Sequence, residues 1–251
     1  MPRGKKADFF GAIRAQAAKV LQQLEGQIRS LEEELHSAES LIYGEQYGIP
    51  ESHRYSYETF DKIVDNPDVD IVYVVTPNSL HRTFTERAAK AGKHVMCEKP
   101  MATSSADCEA MIAACKKAGR KLMIGYRSRF QAHNIEAIKL IRDGAVGPVR
   151  HISTDHGFTI GDPTQWRLKK ALSGGGSLMD IGIYSLNAAR YLTGEEPVAV
   201  NAMESTDRSD PRFQEVEDII NFQNCILRVS DMAILPHSAD ILSTIQIPCD
   251  R

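Results

Sequence analysis

Between Asp70 and Tyr126 the chain alternates two rhythms, and that alternation constrains its fold more than any other feature. The run "DIVYVVTP" (Asp70–Pro77) is continuous and β-branched, as expected of a strand covered on both faces. "SLHRTFTERAAKAG" reads as a helix stopped by Gly92, and "KHVMCEKP" as a second short strand. "SSADCEAMIAACKKAG" reads as a helix stopped by Gly119, and "KLMIGY" as a third strand. Strand, helix, strand, helix, strand at this spacing predicts βαβ units and a parallel sheet. Just upstream, "SYETFDKIVDN" predicts a short helix capped by Ser56.

Beyond Tyr126 the pattern changes, which places a boundary near residue 125. "NIEAIKLIRDGAVG" predicts a helix ending in glycine, and "PVRHISTDHGF" a strand. "GDPTQWRLKKALSGGG" reads as a polar loop or irregular helix, and "SLMDIGIYSLNAARYLTG" as an amphipathic helix. "PVAVNAMES" and "VEDIINFQ" predict two more strands, so this part is α+β. At the other end Ile13, Ala17, Val20, Leu24, Ile28, Leu31 and Leu35 form an amphipathic stripe of nearly heptad spacing, with Gly26 in its middle.

The 251 residues suffice for one large domain or two ordinary ones, and 42% hydrophobic with 25% charged residues suits a soluble protein. A net charge of −3 gives no reason to expect nucleic acid, and no apolar run is long enough to cross a bilayer. "MPRGKKADFFGAIRAQ" has no uninterrupted apolar core, so no signal peptide is read. The five cysteines lack CxxC spacing, which predicts free thiols in a reducing compartment and a cytoplasmic location. Cys108 and Cys115 share one face of a predicted helix, as two small core residues would.

In an open parallel sheet, ligands bind beyond the carboxyl ends of the strands. Here those ends run into "TPNSLH", "CEKP" and "GYRSRF", which put Glu98 and Lys99 on a rigid edge facing a crevice. A partly desolvated lysine there exchanges protons or polarises a substrate oxygen; the plainer alternative is a solvated lysine beside a glutamate in a turn. In "GGGSLMDIGIY", Asp180 and Tyr184 are one helical turn apart, and a tyrosine beside a carboxylate serves as proton donor or acceptor. The alternative is a glycine hinge with an ordinary buried Tyr–Asp hydrogen bond. Trp166 and Arg167 suit the flanks of a flat ring or a phosphate, or a loop packed under a lone Trp. His81 and His94 read as structural groups from their local context. No His/Cys/Asp/Glu set has metal-ligand spacing, so no metal is predicted.

Taken in order, "TPNSLH", "AGKHVMCEKPMA", "KLMIGYRSRF", "WRL" and the stretch from "GGGSLMDIGIY" to "GEEP" resemble the glucose–fructose oxidoreductase and inositol dehydrogenase family, nearest to its glucose–fructose oxidoreductase branch. The resemblance covers roughly Ala38 to Gln223. It implies a Rossmann domain binding NADP or NAD, then an α+β domain with a mostly antiparallel sheet, and a sugar or polyol substrate. It also implies a cis Lys99–Pro100 bond and three catalytic residues, Lys99, Asp180 and Tyr184. Pro77, Asn78, His81, Glu98, Arg127, Trp166 and Arg167 match positions around the cofactor. The expected organisation is an atypical amphipathic helix over 1–37, a partial nucleotide-binding domain over 38–125, and a truncated substrate and oligomerisation domain over 126–251.

The match departs at both ends. The family's Gly-x-Gly-x-x-Gly/Ala turn, which seats a pyrophosphate at a helix N-terminus, has no counterpart: Gly4, Gly11 and Gly26 are far apart. After "VEDIINFQ" the alternation is lost, where the family continues through further strands. Two functions are therefore expected in competition. One is an NAD(P)-dependent oxidoreductase moving a hydride between nicotinamide and a sugar or polyol. The other is a truncated, non-catalytic relative acting as an interaction protein or an inactive remnant. No nucleic-acid or membrane partner is expected; self-association into a homo-oligomer is.

Overall fold

The computed structural model describes residues 19, 22 and 43–225, the last two of these by backbone alone, and the backbone of 242–246. The stripe Ile13–Leu35 lies outside the described residues. The chain divides into two compact units, Met1–Pro67 and Asp68–Arg251.

In the described part of the first unit, backbone at 43–46 is helical and two 3-10 turns follow, Glu51–His53 and Phe60–Asp65. The predicted helix starting at Ser56 is corrected to the second of these turns, with Thr59 before it. The reason is local. Ser56 N–H donates to the Thr59 hydroxyl at 2.8 Å and Thr59 N–H donates to the Ser56 hydroxyl at 3.2 Å. This reciprocal pair closes a turn over 56–59, and backbone helical bonding starts only with Lys62 N–H on the Thr59 carbonyl.

The second unit opens with β1 (Ile71–Val74), β2 (His94–Cys97) and β3 (Leu122–Ile124), a parallel sheet in that order. Helix α1 (His81–Lys90) connects β1 to β2, and α2 (Ser105–Lys117) connects β2 to β3. Ser104 caps α2: its hydroxyl accepts from Asp107 N–H at 3.2 Å and donates to the Asp107 carboxylate at 2.7 Å. α1 packs on β1 and β2 and against α2. Val74, Val95, Cys97, Phe84, Ala88 and Met111 are buried in this part. The register sets Val74 beside Cys97 and Cys97 beside Ile124, so the three carboxyl ends finish level.

The expectation that β1 is covered on both faces is corrected. Ile71, Tyr73 and Val75 are exposed while Val74 is buried. A β-branched run forms a strand whichever face is covered, so composition alone does not distinguish the cases.

A second sheet is built from β4 (Thr154–Asp155), β5 (Ala199–Ser205), β6 (Ile219–Cys225) and β7 (Leu242–Gln246), in the order β4-β7-β6-β5. β6 is antiparallel to β5 and β7, and β4 is parallel to β7. β7 was not read from the sequence, and the strand expected over "PVRHISTDHGF" is two residues long. Among the described residues three helices belong to this half: α3 (Ala132–Arg142), the one-turn α4 (Lys170–Ser173) and α5 (Ile183–Thr193). A π-helical turn, Leu178–Gly182, leads into α5. Ile220 and Phe222 of β6 pack against Leu178, Ile181 and Leu186, which seats this helical segment on the sheet.

Candidate active site

The carboxyl end of each parallel strand delivers a motif to one edge. β2 runs directly into Glu98, Lys99 and Pro100, and the Lys99–Pro100 peptide is cis, as the resemblance implies. One Glu98 oxygen accepts the Tyr73 hydroxyl and the other accepts Lys99 N–H at 3.1 Å. Glu98 is thus engaged by β1 and by its own turn. Donating to this carboxylate is the main reason the Tyr73 phenol is pushed up to about 12.

His81, 1% exposed, lies between the ends of β1 and β2. Its Nδ1 is 2.9 Å from the Pro100 carbonyl oxygen and its Nε2 is 2.9 Å from that of Thr76. Asn78 is buried and donates to the Ser173 carbonyl at 2.8 Å, tying this edge to the end of α4. Pro77 precedes the 3-10 turn Asn78–Leu80. Asn78 and His81 therefore brace the edge from inside.

Lys99 reaches across to the π-turn. Its Nζ lies 3.0 Å from Asp180 Oδ1 and also donates to the Asp180 backbone carbonyl. The second carboxylate oxygen of Asp180 is 3.2 Å from Arg167 Nε, so one anion sits between two cations. Lys99 Nζ is 5.1 Å from the centre of the Tyr184 ring. The Arg167 guanidinium lies 4.6 Å from the Trp166 ring centre. Lys99, Arg127, Arg167, Asp180 and Tyr184 line one cavity of about 340 Å³, together with Phe158, Gln165 and Ile181. That volume is in the range of small-molecule sites. The cavity lining does not include Pro77, Asn78, His81, Glu98 or Trp166.

Asp180 is aimed by its surroundings. Glu217, two residues before β6, accepts Gly176 N–H at 2.8 Å and Leu178 N–H at 3.1 Å with its carboxylate. Its backbone carbonyl accepts Ser177 N–H at 3.2 Å. A carboxylate at the start of a helical segment satisfies its free N–H groups and complements its dipole. A Cβ on Gly176 would lie 2.0 Å from the Glu217 carbonyl oxygen, so only glycine permits this approach. The sequence placed Asp180 and Tyr184 one α-helical turn apart; the π-turn widens that turn and still leaves both on the cavity wall.

Besides Ile181, four residues that sequence reasoning did not single out contribute here. Phe158 and Gln165 line the cavity, Glu217 holds the π-turn, and His156 stacks on Tyr184 with ring centres 6.4 Å apart. No local pattern marks Phe158 or Gln165. For Glu217 the available signal was a glutamate next to a strand that follows a glycine run. Among the described residues no group of three His, Cys, Asp or Glu is placed to hold a metal.

The residues present suit an anionic ligand with hydrogen-bonding groups, as a nicotinamide dinucleotide is. The carboxyl edge carries the cations Lys99 and Arg127 beside the cavity, and the Thr76 hydroxyl at the end of β1 is buried without a hydrogen-bond partner. A parallel βαβαβ sheet whose carboxyl edge meets the helical segment bearing Asp180 and Tyr184, itself seated on a mostly antiparallel sheet, defines an NAD-binding fold of the Rossmann type with an appended domain. Residues 10–126 match the model of the oxidoreductase family with an NAD-binding Rossmann fold, and residues 135–234 match the GFO/IDH/MocA C-terminal domain. The chain belongs to the GFO/IDH/MocA oxidoreductase family.

The chain is 37% identical over 173 residues to D-xylose 1-dehydrogenase [NADP(+)] of Haloarcula marismortui, covering 66% of this chain and 47% of that protein. It is 35% identical over 144 residues to inositol 2-dehydrogenase of Rhizobium meliloti, covering 57% and 42%. The crystal structure of aldose-aldose oxidoreductase from Caulobacter crescentus complexed with glycerol superposes with a TM-score of 0.74 at 80% identity, over 82% of this chain and 58% of that one. The chain spans about half the length of the curated relatives it matches.

Proposed function

We propose that the protein is an NAD(P)-dependent oxidoreductase that acts on a sugar or polyol, with an aldose as the favoured substrate. The observation that carries this reading is the convergence of Lys99, Asp180 and Tyr184 on one cavity at the carboxyl edge of the parallel sheet. The identity to an aldose-aldose oxidoreductase supports the substrate class. In this reading residues 38–125 serve the nucleotide and 126–251 serve substrate and self-association. Free Cys97, Cys108 and Cys115 support a reducing, cytoplasmic setting.

Bound NAD(P) supplies the hydride acceptor or donor. Lys99 uses two of its three ammonium hydrogens on Asp180, leaving one for the substrate oxygen. Asp180, braced by Arg167, holds that ammonium in place. When a sugar carbonyl is reduced, the Tyr184 phenol gives its proton to the carbonyl oxygen, and in the oxidation direction the phenolate takes it back. The positive charge of Lys99 stabilises the oxygen while it carries negative charge. Arg127 and Arg167 line the cavity on behalf of the cofactor, and Trp166 supports the Arg167 guanidinium with its ring. Pro77, Asn78, His81 and Glu98 shape the edge against which the cofactor lies.

Titration of NADPH or NADH fluorescence with the purified chain tests the reading, followed by turnover with D-xylose and D-glucose. Lys99→Ala and Tyr184→Phe are expected to lower kcat by about 10²-fold or more while cofactor affinity stays within about two-fold. Fluorescence that never responds to protein at millimolar cofactor, or variants that turn over like the parent, would sink it.

A further inference from the structure

Tyr184 must present its hydroxyl in one direction, yet among the described residues no group hydrogen-bonds that hydroxyl, and the backbone of α5 fixes only its Cβ. The ring is held instead from its flanks. His156 immediately follows β4, and its ring is stacked on that of Tyr184, tilted by 22° with centres 6.4 Å apart. This lies within the range of offset aromatic stacking. His156 is itself fastened: its Nδ1 is 2.7 Å from the hydroxyl of Ser185, the residue after Tyr184 on α5, which is 0% exposed. Imidazole and phenol are therefore clamped by adjacent positions of one helix. β4 pairs with β7 in the second sheet, so His156 leaves directly from a paired strand. His156 is not among the cavity-lining residues.

We propose that His156 is a positioning residue: locked by Ser185, it sets the plane of the Tyr184 ring and hence the point at which the phenol meets the substrate oxygen. The inference rests on the proton-transfer role assigned to Tyr184 above. A phenol swung out of line loses catalysis without losing ligands, because binding does not require its proton to be in line.

Two conservative variants separate the two halves of the clamp. His156→Phe keeps a flat ring and loses the bond to Ser185; His156→Asn keeps a hydrogen-bonding group and loses the ring. The first readout is independent of turnover. NMR of protein with ¹³C-labelled tyrosine rings, with the Tyr184 signal assigned by its loss in Tyr184→Phe, reports ring flipping and ring-current shift. His156→Asn and His156→Ala are expected to speed the flip and move the signal, whereas His156→Phe retains a stacked-ring shift. The second readout is kinetic. His156→Ala is expected to lower kcat about ten-fold with unchanged KM for NADPH, and His156→Phe to recover more of the loss than His156→Asn. A Tyr184 signal unmoved in folded His156→Ala overturns the proposal. So does a kcat equal to the parent's, or a better rescue by asparagine than by phenylalanine. If the parent shows no turnover at all, the oxidoreductase reading fails, while the NMR result still decides whether His156 positions the ring.

Discussion

Gly176 shows how much a single residue decides in this cleft. Its missing side chain lets the Glu217 carbonyl come within 2.0 Å of where a Cβ would stand, and that contact holds the segment carrying Asp180. Gly176→Ala must push the π-turn off Glu217 or distort both, so a loss of about 1–3 kcal/mol or more is expected, read as a lowered thermal midpoint. A midpoint equal to the parent's would refute the assignment. At this scale the sequence was legible in part. Lys99, Asp180 and Tyr184 stood out because charged and phenolic groups at a strand end or on a helix after a glycine run are chemically conspicuous. Glu217 and His156 did not, because what makes them matter is a partner many residues away: Gly176 for one, Ser185 for the other.

Among elements, the parallel strands and their helices were readable because each is bounded by local chemistry. Gly92 and Gly119, with φ of +76° and +65°, end the helices where the pattern predicted. β7 was not readable: its place is fixed by pairing with β4 and β6 on either side, not by its own alternation. The three-stranded sheet also carries a pH signature. Burial pushes the Cys97 thiol from 9.0 up to about 12, and it raises the Tyr126 phenol from 10.0 to about 12. Donation to Glu98, then burial, raises Tyr73 from 10.0 to about 12. Each group is neutral when protonated and has a folded value above its unfolded one. Their contribution is therefore complete below about pH 9, and it is lost as pH rises through about 12, because the unfolded chain releases these protons first. The urea midpoint is expected to fall between pH 8 and pH 11, and to fall less in Tyr73→Phe. A flat profile across that window would contradict the assigned environments.

For the whole molecule, the fold class was legible from the alternation of periods, and the family from a series of short motifs in order. The placement of the second sheet's strands was not, since it depends on contacts across long separations. A ligand that binds the folded chain alone stabilises it by mass action: cofactor at a hundred times its Kd is expected to add about 2.7 kcal/mol, seen as a rise in Tm. No rise with saturating NADPH or NADH would count against cofactor binding. The hold of Glu217 on Gly176, Ser177 and Leu178 has one more consequence. The carboxylate that steadies Lys99 takes its bearing from the connection leading into β6, not from the nucleotide-binding sheet. Lengthening or reshaping 206–218 would re-aim Asp180 like a rudder, reshaping the cavity wall without any substitution among the residues that line it.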